Sequence, residues 1–246
     1  MDRLSTRLRT WFSNAPWGRS SPPARDGGAT ANAAPKAGIA PRPVGYLVNH
    51  PAGLSGVQGV GYDYVFGSGG VYVQSENSHL TARILVAPCN VRGLAPVSEK
   101  LALAHGPIPA HVFELGLGWM LAAPDTERFF AVRWDGDAYR LVVPPQEGTG
   151  SSLSYEPPAG VVAEFHSHGH HRAFFSATDD RDEQGFRVYG VVGRLHDPLP
   201  ELALRVGIYG HFAPLKWPQV FDSPQPGLRL AGEGPEATPG NPHIRR

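Results

Sequence analysis

The sequence predicts an α/β (α+β) fold that is rich in strands and poor in helix. Three observations lead there. Aromatic and β-branched runs separated by glycine-bearing turns recur from Val44 onward, as expected for hairpins. The short apolar run Val161–His166 has the length of a buried strand. Only 108–122 reads as a helix of any length, and a second, short one begins near Ser176.

Taken in order, Tyr62–Phe66 and Val71–Gln74 flank Gly67-Ser68-Gly69-Gly70, a hairpin. Leu80–Val86 alternates and supplies a third strand. In the helix at 108–122, Gly116 and Gly118 lower the propensity, and Pro124-Asp125 ends it. Phe129–Trp134 and Tyr139–Val143 make a second hairpin across Asp135–Ala138. After Val161–His166 and the short helix come two more strands, Phe186–Leu195 and Leu202–Tyr209. There is no internal repeat.

Composition sets the domain limits. Glycine (30) and proline (25) together exceed a fifth of the 246 residues, which points to disordered ends, many turns, or both. Residues 1–43 and 223–246 cannot bury enough apolar surface to offset chain entropy, so both are expected as disordered tails. Near the start, Leu4, Leu8, Trp11 and Phe12 form a short basic amphipathic pattern with Arg3, Arg7 and Arg9, or a frayed tail with chance periodicity. Between the tails lie a β-rich part, 44–105, and a mixed part, 106–222.

Lys+Arg (22) balances Asp+Glu (22), which excludes a globally basic nucleic-acid binder. No apolar run approaches the ~18 residues of a membrane span, and the N-terminus lacks the apolar region of a signal peptide. A cytoplasmic location is therefore expected. With Cys89 as the single cysteine, any metal must be held by His, Asp and Glu.

One stretch carries chemistry. His166 and His168 sit where a strand runs into a loop, and Ser176-Ala177-Thr178-Asp179 opens the next helix. Histidines at i and i+2 can turn both imidazoles toward one ion, and Asp179 can close a third side. Two nitrogens and a carboxylate suit Zn²⁺ and leave a position for water, the arrangement of a catalytic rather than a structural site. Ser176-x-x-Asp179 is also a helix-capping pattern, with Asp180 as the fallback ligand if Asp179 only caps. His170 and His171 could add a ligand or flank the groove. Asp180–Glu183 reads as a solvated helix face.

The full spacing, H-x-H, seven residues, S-x-x-D, resembles the JAMM/MPN zinc metallopeptidases. Within that family, HSHGHHRAFFSATDD followed by RVYGVVGRL is similar to the bacterial PRTRC system A group, with weaker similarity at HGPIP, the 129–143 hairpin and ELALRV. The resemblance implies a mixed sheet flanked by helices, related to cytidine deaminases, with Zn²⁺ on His166, His168 and Asp179. It implies that Ser176 steadies an oxyanion and that a glutamate near the end of the first helix acts as general base. Glu127 lies at the helix-to-strand junction, but Pro124 stands three residues before it rather than two, and Phe130 holds the family's glycine position. Glu114, inside the helix, is the alternative base.

The activity so implied is that of an isopeptidase, deubiquitinase-like, acting on a ubiquitin-like protein, with a ThiF-like activating enzyme as a partner. Two alternatives are a hydrolase of small-molecule or sulfur-carrier adducts and a catalytically silent MPN scaffold. For an extended substrate tail, 169–175 is the expected border of the groove, with Arg172 and Phe174 as contacts and Phe175 as a candidate core residue.

Overall fold

A computed structural model describes residues 42–149, 153–156 and 158–231. The amphipathic pattern at Leu4–Phe12 and most of both tails lie outside the described residues. The β-branched and aromatic runs fold as expected, into two sheets.

The first sheet comprises β1 (Val44–His50), β2 (Gly53–Val57), β3 (Tyr62–Gly67), β4 (Gly70–Glu76), β5 (Leu80–Pro88) and β6 (Lys100–Leu103). Its order is β2-β1-β3-β4-β5-β6, antiparallel except for the β1–β3 pair. The chain then forms α1 (Ala110–Leu121), β7 (Phe129–Trp134), β8 (Tyr139–Val142) and the ribbon β9 (Gln146–Gly148) and β10 (Leu153–Tyr155). Next come β11 (Val161–Ser167), α2 (Ala177–Asp182), β12 (Phe186–Gly193), β13 (Glu201–Ile208), β14 (His211–Pro214) and β15 (Arg229–Leu230). The second sheet is mixed, ordered β14-β13-β12-β11-β7-β8, with β15 also on β13. Its parallel pair β11–β12 is joined through α2, so the loop after β11 opens beside the end of β12.

One face of this sheet is packed with aromatic rings. Phe130 and Phe165 stack at 4.7 Å, and Phe113 of α1 meets Phe165 edge-on at 5.3 Å. The glycine that weakens α1 has its reason here: a Cβ on Gly116 would lie 2.4 Å from the Phe130 ring. The helix gives up roughly 1 kcal/mol of propensity to close onto β7. The two sheets share a second core, in which Val73, Leu80, Ala82 and Ile84 meet Phe186, Val206 and Ile208. A boundary at 105 therefore separates the sheets but not their cores.

Residues 223–231, expected as the start of a disordered tail, are instead built in. Leu228 is buried, and Arg229–Leu230 runs parallel to β13. Two leucines among prolines and glycines were enough to anchor the segment, which composition alone does not reveal. Among the described residues, no helix is long and apolar enough to cross a membrane.

Candidate metal centre

β11 lies in the middle of the second sheet, so its side chains alternate between two faces. Phe165 enters the aromatic core, and His166 takes the opposite face. Buried Ser167 ends the strand by accepting the Arg128 N–H at Oγ (2.9 Å) while donating its own N–H to the Arg128 carbonyl (2.9 Å). That exchange fastens the turn carrying Glu127 to the strand carrying His166.

The loop beyond is stitched to the end of β12. The His168 N–H donates to Val192 (2.8 Å), Leu195 to Gly169 (2.9 Å) and Arg194 to His171 (2.6 Å). Only a glycine at 193 permits this approach, because a Cβ there would sit 2.4 Å from the Ala173 nitrogen. Buried Glu201 completes the anchor, accepting the Ala173 N–H (3.1 Å) and pairing with Arg194 (3.1 Å) and Arg172 (3.6 Å). This segment forms no strand, so the expected groove border at 169–175 offers no edge to which an extended peptide could add.

The loop and α2 bring His166, His168 and Asp179 together. The two Nε2 atoms lie 3.1 Å apart, Asp179 Oδ1 lies 3.3 Å from His166 Nε2, and Oδ2 lies 3.9 Å from His168 Nε2. Ligand atoms bonded to tetrahedral Zn²⁺ at about 2.0–2.1 Å would stand roughly 3.3 Å apart, so these donors fit the ion in type and spacing. The rings are tilted by 50°, which lets both in-plane lone pairs converge.

Asp179 both caps and faces the histidines. Its Oδ2 accepts the Ser176 N–H at 2.6 Å while Ser176 Oγ accepts the N–H groups of Thr178 and Asp179, a capping box. The capping and ligand readings of S-x-x-D are therefore compatible. Asp180 turns away to Arg205.

Electrostatics follow the geometry. Burial and the neighbouring His166 push His168 down to about 4, which keeps it neutral as a ligand must be. Burial lowers His166, but Asp179, then Glu183 and Glu127, outweigh it and the net direction is up. Burial raises Asp179, yet His166 and the Ser176 N–H hold it well below the usual carboxylate range.

Asp180, Arg181 and Asp182 are exposed, as a solvated face requires, but Glu183 is not. Glu183 sits one helical turn past Asp179, 11% exposed, with Oε1 3.8 Å from His166 Nδ1. Arg205 on β13, 7% exposed, gives Nε and NH2 to Glu183 Oε2 (3.0 and 2.7 Å) and NH1 to Asp180 Oδ1 (2.5 Å). Burial pushes the Glu183 carboxyl up to about 7, against the pull of His166 and Arg205. Sequence reasoning missed this pair, although two signals were present. Glu183 is i+4 from Asp179, and Arg205 is the single charge in the apolar run Leu202–Ile208.

The other expected site residues are spread more widely. Glu127 is half-buried, its N–H bonded to Thr149 (2.8 Å). Burial raises its carboxyl, His166 and His171 pull it down and Asp179 pushes it up, so it lies within electrostatic reach of the metal group. Glu114 is on the exposed face of α1. Phe174 is 49% exposed and meets the His168 ring edge-on at 5.0 Å. Phe175, the candidate core residue, is only half-buried and stacks on Arg205 (3.8 Å).

A second group, Asp125, His170 and His196, lies at the rim. Both Nε2 atoms stand 3.0 Å from Asp125 Oδ1, but all three side chains are substantially exposed. The imidazoles are stacked 3.7 Å apart with their planes 1° from parallel. Parallel rings cannot both aim in-plane lone pairs at one ion between them, so this group is a poor ligand set as it stands.

Residues 122–205 match the family described as prokaryotic homologs of the JAB domain. This segment is a JAB/MPN domain. It runs from the end of α1 to Arg205 and so contains Glu127, Ser176 and the whole metal group, but none of the first sheet. The JAB/MPN family includes metallohydrolases, and its JAMM-type members bind zinc. The match reaches the family and not the PRTRC branch within it. No curated protein matches the chain.

Proposed function

We propose that the chain is a zinc-dependent hydrolase of the JAMM type that releases or trims a ubiquitin-like protein at its C-terminal tail. The observation that carries this reading is the convergence of two neutral-capable imidazole nitrogens and one carboxylate within a JAB/MPN domain. Zn²⁺ held by His166, His168 and Asp179 would supply a Lewis acid for the scissile carbonyl and an acidified water as nucleophile.

The remaining chemistry belongs to the chain. Glu127 takes the proton that the attacking water loses and returns it to the leaving amine nitrogen. Its burial raises the carboxyl toward the range in which it can do both. Ser176 Oγ already accepts two backbone N–H groups, which frees its own O–H to donate to the developing oxyanion. Exposed Phe174, against His168, gives an apolar contact for the residues ahead of the scissile bond, and Arg172 at the loop surface is a second contact. Both lie on a loop held by Glu201, so they offer a fixed surface. A ThiF-like enzyme that activates the same modifier is the proposed partner.

The test is hydrolysis of a ubiquitin-like protein fused through its C-terminus to a reporter amine. Turnover that requires zinc and is lost in His168→Ala supports the reading. Zinc bound stoichiometrically with no turnover on any such fusion contradicts it and leaves a silent scaffold or a small-molecule hydrolase.

A further inference from the structure

The buried ion pair behind the metal group has no role in the proposed chemistry. We infer that Glu183, clamped by Arg205, is a positioning residue that sets how the His166 imidazole faces the metal. The inference rests on the metal-binding reading above. His166 presents Nε2 to His168 and Asp179, which leaves Nδ1 pointing the other way, toward Glu183 Oε1 at 3.8 Å. An imidazole ligand can turn about its Cβ–Cγ bond unless its second nitrogen is engaged. Metal-bound histidines accordingly face a carboxylate or carbonyl on that side. At 3.8 Å the contact is an ion-pair distance rather than a hydrogen bond, so Glu183 acts through its charge and its reach.

Glu183 is itself held still. Both Arg205 bonds to it land on Oε2, and Oε1 is left to His166. Arg205 is gripped between the rings of Phe175 (3.8 Å) and Phe212 (3.6 Å), which fixes the plane of the guanidinium. A lysine could neither stack in this way nor engage two carboxylates with one rigid fork. Stability alone is a weak reason for the pair, because buried ion pairs are often replaceable by apolar residues without loss. Orientation of the ring they face is a stronger one.

The experiment compares the full chain with Glu183→Gln, Asp180→Asn and the double variant Glu183→Ala/Arg205→Met, which leaves no unpaired buried charge. Zinc affinity is read by chelator competition, the ligand field by the visible spectrum of the Co²⁺-loaded protein, and folding by the melting temperature without metal. The double variant should bind zinc about 10–100-fold more weakly, with altered Co²⁺ bands and a melting temperature near that of the parent. Glu183→Gln, whose one oxygen stays with the two Arg205 donors and whose uncharged NH2 then faces His166, should weaken zinc binding to a similar extent. Asp180→Asn, which breaks the other Arg205 bond, should bind as the parent does. Parent-like affinity and Co²⁺ spectrum in the double variant would overturn the role. So would an equal loss in Asp180→Asn, which would trace the effect to the placement of α2. A parent chain that takes up no zinc refutes the hydrolase reading first, and this role with it.

Discussion

Two clusters of two histidines and one aspartate lie within a few residues of each other, yet they differ in every respect that matters for holding an ion. His166, His168 and Asp179 are 18%, 11% and 15% exposed, whereas His170 and Asp125 are 67% and 75% exposed. The first pair of rings is tilted by 50°, the second is parallel to within 1°. The first cluster has partners behind it: the capping box fixes Asp179, the loop backbone fixes His168, and Glu183 faces His166. The second rests on a single exposed carboxylate oxygen. Residue type and proximity do not separate the two; pre-organisation does.

The sharpest chemical test of that difference is at the edge of the buried cluster. Glu127→Gln should keep zinc and fold yet lower turnover by at least about 10²-fold, while Glu114→Gln on the exposed face of α1 leaves it unchanged. A fully active Glu127→Gln would remove the base from the account.

Metal linkage comes next. Zinc at a hundred times its dissociation constant should stabilise the fold by about 2.7 kcal/mol, or about 5–10 °C in melting temperature for a unit of this size. The same rise is expected in His170→Ala and none in His168→Ala. A smaller effect separates capping from binding. Ser176→Ala should cost about 0.5–2 kcal/mol in thermal or denaturant unfolding even without metal, since two helix N–H groups lose their acceptor. The smallest belongs to the rim, where Asp125→Asn should change stability by no more than about 0.5 kcal/mol. A larger loss there would mean that the exposed cluster ties its three loops together.

How much of this was readable from the chain depended on how local each feature is. The metal group spans fourteen residues of unbroken sequence from His166 to Asp179, and strand, loop and helix start each left a local signal. The strands at 62–66, 71–74, 129–134 and 186–195 were visible through alternation or apolar runs between turns. The parallel β1–β3 pairing was not, because register between separated strands leaves no local mark. Arg205 and Glu183 are 22 residues apart and meet only through the packing of α2 on β13, so a short window shows a charged helix and a stray arginine. Gly116 and Gly193 look like weaknesses until Phe130 and the His171–Ala173 backbone are seen filling the space of a Cβ. Phe175 has the character of an apolar core residue, and nothing in sequence says that its partner is a guanidinium.

The central claim is that one cluster is built to hold zinc and its neighbour is not. It is tested most directly by zinc per chain, measured by elemental analysis after purification and dialysis, in two double variants. His166→Ala/His168→Ala should carry essentially none, because one carboxylate cannot retain the ion. His170→Ala/His196→Ala should carry about one, as the parent does. Stoichiometric zinc in the first variant, or its loss in the second, would contradict the account.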